Sequence, residues 1–145
     1  MSASTAHSTV VTLLGTYAPS PIFSATYSTH QTANLVIPSL SVEVETDTPI
    51  KGDAAIDQSE IVDNRLIRLS IRVHTGYRLG PIDTANNIEI TDEVVTWLRQ
   101  HINLGSGYRI FDVAGVAYNV DHMSSGTTGS EITVDIHKVE HYAQS

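Results

Sequence analysis

Cysteine is absent from the 145 residues, which excludes disulfide scaffolds, thiolate zinc sites, iron–sulfur clusters and cysteine nucleophiles at one stroke. Aromatic residues are sparse at 6%, and eight Lys+Arg against sixteen Asp+Glu leave a net charge of −8. A chain of that sign is not built to grip nucleic acid by neutralising phosphates, because that term needs clustered cations. No apolar run approaches the ~18 residues of a membrane-spanning helix, so no membrane partner is expected. Met1–Thr9 has neither Lys/Arg nor an apolar stretch, so no secretory signal is expected either. With only 5 Pro and 9 Gly beside 41% hydrophobic residues, the chain is neither disordered nor low in complexity, and it is expected to form a single domain over residues 1–145.

Charge of either sign is also missing from the first 42 residues, and every Asp, Glu, Lys and Arg lies from Glu43 onward. One reading is a short weak helix at about Ser8–Thr16, with Val10, Val11, Leu13 and Leu14 on one face and Gly15 at its end, followed by irregular chain. The other is a hydroxyl-rich surface seated against another chain, since charge is depleted at the centres of interfaces.

From Ile37 the period changes to two. Leu40, Val42 and Val44 alternate with Ser41, Glu43 and Glu45, and Pro38 suits the start of a half-buried strand. Thr46–Gln58 has no clear periodicity and reads as a long loop. Arg65–Thr75 is the clearest strand, with Ile67, Leu69, Ile71 and Val73 on one face and Arg68, Ser70, Arg72 and His74 on the other. The spacing of Ile88, Thr91, Val95, Leu98 and Ile102 predicts an amphipathic helix over 83–102, capped by Asp83 or Thr84 and closed by Gly105. Tyr108–Val120 and Glu131–Tyr142 read as a hairpin with a long mobile tip around His122–Ser130. The expected fold is α+β: a mainly antiparallel four-stranded sheet with one main helix packed on one face and a weaker N-terminal helix.

The histidines, glycines and acidic residues form no catalytic pattern. His137 and His141 fall in a strand, where four residues span ~13 Å, too far for a shared metal. His101 suits the helix C-terminus, and His7, His30, His74 and His122 have no local partner pattern. Gly105-Ser-Gly107 lacks the strand and helix of a nucleophile elbow. No phosphate-binding loop occurs, and adjacent Asp92 and Glu93 read as a solvated helix face. No catalysis, metal or cofactor is therefore expected. The arginines are the notable group. Arg65, Arg68, Arg72 and Arg78 are half of all the cations. Neighbouring strands offer Glu43, Glu45, Glu131 and Asp135 on their polar faces, so the arginines read as an intramolecular ladder first, as an ion-pair surface between subunits second, and as a nucleic-acid stripe last.

The layout resembles the tail terminator, or tail completion, proteins of long-tailed phages. The resemblance is carried by the N-terminal helix, the Pro-led strand Ile37-Pro-Ser-Leu-Ser-Val, the long loop and the strand Ile67-Arg-Leu-Ser-Ile-Arg-Val. It continues through the helix Glu93-Val-Val-Thr-Trp-Leu and the hairpin of Val116-Ala-Tyr-Asn-Val with Ile132-Thr-Val-Asp-Ile. It implies a structural protein of the virion, assembled in the host cytoplasm, that forms a homo-oligomeric hexameric ring. Such a ring caps the tail tube, stops its polymerisation and joins the tail to the head connector or neck proteins, while the genome DNA passes through its lumen without specific binding. Another head–tail joining or tube-type protein is the near alternative, and a small enzyme or ligand-binding domain the distant one. The family has no short motif from which site residues carry over. Candidate interface residues come instead from the arginine face and the two loops: Arg68, Arg72, Lys51, Asp53, Ser125 and Thr127.

Overall fold

A computed structural model describes residues 2–17, 23–30, 35–49, 55–56, 60–77, 84–105, 108–123 and 125–143. Among these the chain forms helix α1 (Ser2–Gly15), strands β1 (Ala25–Tyr27), β2 (Ser39–Pro49), β3 (Ala55–Ile56) and β4 (Glu60–Tyr77), helix α2 (Thr84–Gln100), and strands β5 (Asn103–Gly105), β6 (Tyr108–His122) and β7 (Thr127–Ala143). The strands make one sheet in the order β1-β2-β4-β7-β6-β5, with β3 paired to β4. β1 runs parallel to β2, and every other pair is antiparallel.

The four-stranded antiparallel α+β fold expected from the sequence is therefore corrected to a mostly β one: a curled, mixed seven-stranded half-barrel with two helices. β1, β3 and β5 are two or three residues long, too short to show a period. The curl comes from irregularities in the ladders. β2 slips between Val44 and Thr46, β4 between His74 and Gly76, and β6 three times, between Ile110 and Asp112, Val113 and Gly115, and Ala117 and Val120. Each extra residue bends its strand and increases the local twist.

Both helices contribute to one core. Ala6, Val10 and Leu14 form the buried stripe of α1, at i, i+4 and i+8. They meet Leu40 and Val42 of β2, Ile67, Leu69, Ile71 and Val73 of β4, and Ile132, Val134 and Ile136 of β7. An uncharged helix of modest propensity is held by that packing rather than by its own hydrogen bonds. In α2 the buried residues are Asn87, Ile90, Thr91, Val94, Val95 and Leu98, whereas Ile88, expected inside, is 37% exposed. The helix can turn polar Asn87 and Thr91 inward because partners await them. Thr91 Oγ1 lies 2.7 Å from the Asn87 carbonyl and 2.8 Å from Ser130 Oγ, and Asn87 Nδ2 donates to the Gly129 carbonyl at 3.3 Å.

The two expected loops are also corrected. Thr46–Pro49 continues β2, pairing with residues 65–68 of β4. Lys51 and Asp53 lie outside the described residues. Thr127–Ser130 belongs to β7, so the β6–β7 connection is a short turn carrying Gly126 at φ +67°. The helix ends at Gln100, and Gly105, at φ +83°, closes β5 instead.

Gly129 sits opposite His74 where the β4–β7 ladder slips, and a Cβ there would lie 1.6 Å from the Val73 carbonyl oxygen. The obstacle is backbone at the centre of the sheet, which cannot move aside. Gly129→Ala is expected to lower unfolding free energy by about 1–3 kcal/mol through overpacking. A urea midpoint equal to that of the parent chain would show that the strands separate at no cost.

Candidate functional site

The face of the sheet opposite the helices carries the even-numbered residues of β4 and the odd-numbered residues of β7, and register decides which of them meet. Arg68 faces Asp135 and Arg72 faces Glu131 across the ladder. Arg68 grips Asp135 with two parallel bonds, Nε to Oδ1 at 2.8 Å and Nη2 to Oδ2 at 3.0 Å, the strong bidentate geometry of guanidinium and carboxylate. This bonding raises the Arg68 pKa above its ordinary value, with the negative charge of Asp135 adding to it. Arg72 Nε stands 3.6 Å from Glu131 Oε2, an electrostatic contact in which the buried N–H makes no hydrogen bond. A third pair joins Arg65 Nε to Asp47 Oδ1 at 2.9 Å, through the part of β2 expected to be loop. Of the acids expected in an internal ladder, β7 supplies Glu131 and Asp135 as direct partners, and Arg68 and Arg72 are both engaged within the subunit.

Beyond Arg72 the same face becomes buried and wholly polar. His30, Ser41, Ser70, His74, His122, Ser125 and Thr127 are each at most 9% exposed. Ser125 and Thr127, expected at a partner interface on a loop, are instead members of this interior network. Its hydrogen bonds have one consistent direction. The Glu131 carboxylate only accepts, so the Ser70 hydroxyl donates to it, at 3.1 Å. With that single proton spent, Ser70 must accept from His30 Nε2, 3.0 Å away. A neutral His30 then accepts at Nδ1 from the Ser41 hydroxyl at 2.8 Å, and Ser41 in turn accepts from His74 Nε2 at 2.8 Å. His74 Nδ1 accepts from Thr127 Oγ1 at 2.6 Å, and the Ser125 hydroxyl stands 2.9 Å from Thr127 Oγ1 and 3.2 Å from the His122 carbonyl. One carboxylate thus fixes the tautomers of two imidazoles and the direction of three hydroxyls, those of Ser70, Ser41 and Thr127. His122 closes the cluster, its ring 4.9 Å from that of His74 at 67° and its Nε2 donating to the Ser130 carbonyl.

Burial keeps these imidazoles neutral. Desolvation first, then the nearby positive charge of Arg72, lowers His30 to about 4. Desolvation, followed by the electrostatic influence of His122, His30 and Arg72, lowers His74 to about 3, and desolvation with Arg72 lowers His122. Ser41, flanked by two imidazoles, has the partners of an activated nucleophile, but at 1% exposure it leaves no surface to a substrate. The network joins β2, β4, β7 and the segment bearing His30. Its members are 11 to 53 residues apart in each bond that links a histidine to a hydroxyl, so no local spacing announces it. The remaining histidines act on backbone: His7 Nε2 reaches the Val42 carbonyl at 3.0 Å, and His101 Nδ1 reaches the Trp97 carbonyl at 2.8 Å, at the end of α2 where a cap was expected. No protein-family model matches the sequence, and no curated protein is significantly similar to it.

Two outcomes test this face. The three histidines carry pKa values below the ~6.5 of an unfolded chain, so unfolding takes up protons below that pH. Their stabilisation is complete above pH ~6.5 and is lost as pH falls toward about 4 for His30 and about 3 for His74. Urea midpoints should therefore hold from pH 8 to about 6.5 and fall from there to pH 5, where carboxylates contribute little, with a slope on the order of 1 kcal/mol per pH unit for each of His30 and His74. A flat profile over that range would mean that the imidazoles are not held neutral.

The second outcome concerns the ladder. Arg68→Glu/Arg72→Glu sets two further carboxylates beside Asp135 and Glu131, and calorimetry should show a lower melting temperature for the isolated subunit. Unchanged melting would assign the arginines to a partner instead.

Proposed function

We propose that the chain is a structural subunit of a long-tailed phage virion, a tail terminator that works by assembling rather than by catalysing. The observation that carries this reading is a pair of open strand edges. Among the described residues, β1 covers β2 only at Ser39–Ser41, and β5 covers β6 only at Tyr108–Arg109. On their outer sides Glu43–Pro49 and residues 111–122 therefore have no strand partner among the described residues, while the Val42 carbonyl is met by His7. Unpaired N–H and C=O rows of that length invite another chain. Two different edges on opposite sides favour head-to-tail contact, which forms a ring where the rotation closes.

The order on which the resemblance rests supports the same reading, with α1, β2, β4, α2, β6 and β7 standing in that succession. In this reading the partners are five further copies, the tail tube protein below and the head connector or neck proteins above. A net charge of −8 suits a lumen through which DNA passes without adhering. A different neck or tube-type protein would use the same edges, and the choice between them rests on which end of the tail the ring occupies.

Light scattering coupled to size exclusion, with negative-stain images, should find particles of six times the 15.7 kDa chain mass, either alone or on the ends of tubes grown from the tail tube protein of the same genome. Tubes of unrestricted length, with the subunit monomeric at high concentration, would overturn the proposal.

A further inference from the structure

We propose that the groove along the outer face of α2 is a docking site for a basic segment of a partner protein, one that presents arginine or lysine side chains along an apolar stretch. The groove holds about 440 Å³, with Tyr17, Trp97, Glu89, Asp92 and Glu93 among its lining residues. Its aromatic wall is built in register. Tyr17, just past α1, lies 4.8 Å from Trp97 between ring centroids, and Trp97 lies 4.4 Å from His101 one turn along α2.

Neither Glu89 nor Glu93 stabilises the helix that carries it. Acidic residues stabilise a helix in its first turn, but the first turn of α2 has none. Glu89 and Glu93 stand at i and i+4, where two negative charges repel across one turn and weaken the helix. No ion pair within the described residues relieves either of them. Asp92 is held by the Tyr118 hydroxyl, which donates to it, so its carboxyl group is fixed in position beside the other two. Glu93 is close enough to Tyr17 to raise the phenol's pKa further, after burial. Three acids and two aromatic rings around one groove match a cation that is also flat or has an apolar stem: guanidinium stacks on indole while carboxylates accept its N–H groups.

Charge decides the occupant. A second copy of this chain carries a net −8 and commits Arg65, Arg68 and Arg72 to its own acids, so self-docking would bring like charges together. A purely apolar segment would cover three carboxylates without compensating them. A basic segment does neither, and it also removes the repulsion within α2. This inference does not rest on the ring, because the groove is lined by α2 and Tyr17, with the β6 edge reaching it only through the bond of Tyr118 to Asp92.

Trp97 is the only tryptophan, so its emission reports on the groove directly. The full chain is titrated with a capped ten-residue peptide bearing three arginines among leucines, and with the same peptide carrying uncharged citrulline in place of each arginine. The arginine peptide should change Trp97 emission saturably, and added salt should weaken it. Its affinity should fall about tenfold with citrulline and about tenfold for Glu89→Gln/Glu93→Gln. That variant, freed of its i, i+4 repulsion, should melt no lower than the parent. Equal binding of the two peptides, equal binding by the variant, or no saturable change at millimolar peptide would each overturn the proposal. Loss of ring formation with peptide binding intact would fail the proposed function alone.

Discussion

The structure depends on the antiparallel pairing of β4 with β7, which runs from Glu60 opposite Ala143 to Tyr77 opposite Thr127. Side chains alternate faces along both strands, so one register sends Ile67, Leu69, Ile71 and Val73 to the helices together with Ile132, Val134 and Ile136. It sends Arg68, Ser70 and Arg72 to the other face, opposite Asp135, Thr133 and Glu131. A slip by one residue would exchange the faces of a whole strand, exposing apolar residues and burying charge without partners. The apolar face gives the pairing its strength, and the ion pairs give it its register. The pairing also brings Gly129 against the Val73 carbonyl, where the ladder slips and the strands approach too closely for a side chain.

The same alternation builds the interior polar network. His74 follows Arg68, Ser70 and Arg72 onto the polar face, where it is fully buried, while Thr75 follows Val73 toward the helices and reaches Asn87 near the start of α2. Burying so many hydroxyls and imidazoles is costly unless every donor finds an acceptor. The single direction imposed by Glu131 meets that condition along the histidine chain. On the helix side, Asn87 receives the hydroxyls of Thr75 and Ser130. The β6–β7 turn is thus anchored from both faces of the sheet by polar bonds, where a purely apolar sequence would be expected to be needed.

Legibility followed the period of the signal. Arg65–Thr75 was readable because apolar residues alternate there without a break, and the observed strand contains that span. Thr46–Pro49 and Thr127–Ser130 are strands as well, yet Thr, Ser, Gly, Asp and Pro are the residues of loops. They pair because their neighbours supply hydrogen bonds, which composition does not reveal. Ile88 misled for the opposite reason: its spacing to Thr91 and Val95 fits a helical stripe, but a stripe one position over buries Ile90 and Val94 and finds partners for Asn87 and Thr91. The histidine network was invisible because its members lie on separate elements. Buried His with Ser or Thr on facing strands becomes recognisable only once register is known.

β6 combines two features that usually oppose each other, an edge left open over a dozen residues among those described and three irregularities within it. Bulges and charge blunt an edge against indiscriminate pairing, and this edge carries both, with Asp112 and Asp121 flanking Asn119 at φ 56°. A flat strand laid against it would meet the hydrogen-bonding groups out of step at each slip. Only a partner whose own backbone bends at the same intervals can pair along the whole edge, and a partner that pairs over part of it leaves groups unsatisfied. In the proposed ring the curl of the sheet and the choosiness of its edge are therefore one property: the residues that bend β6 into the half-barrel also decide what can be added to it.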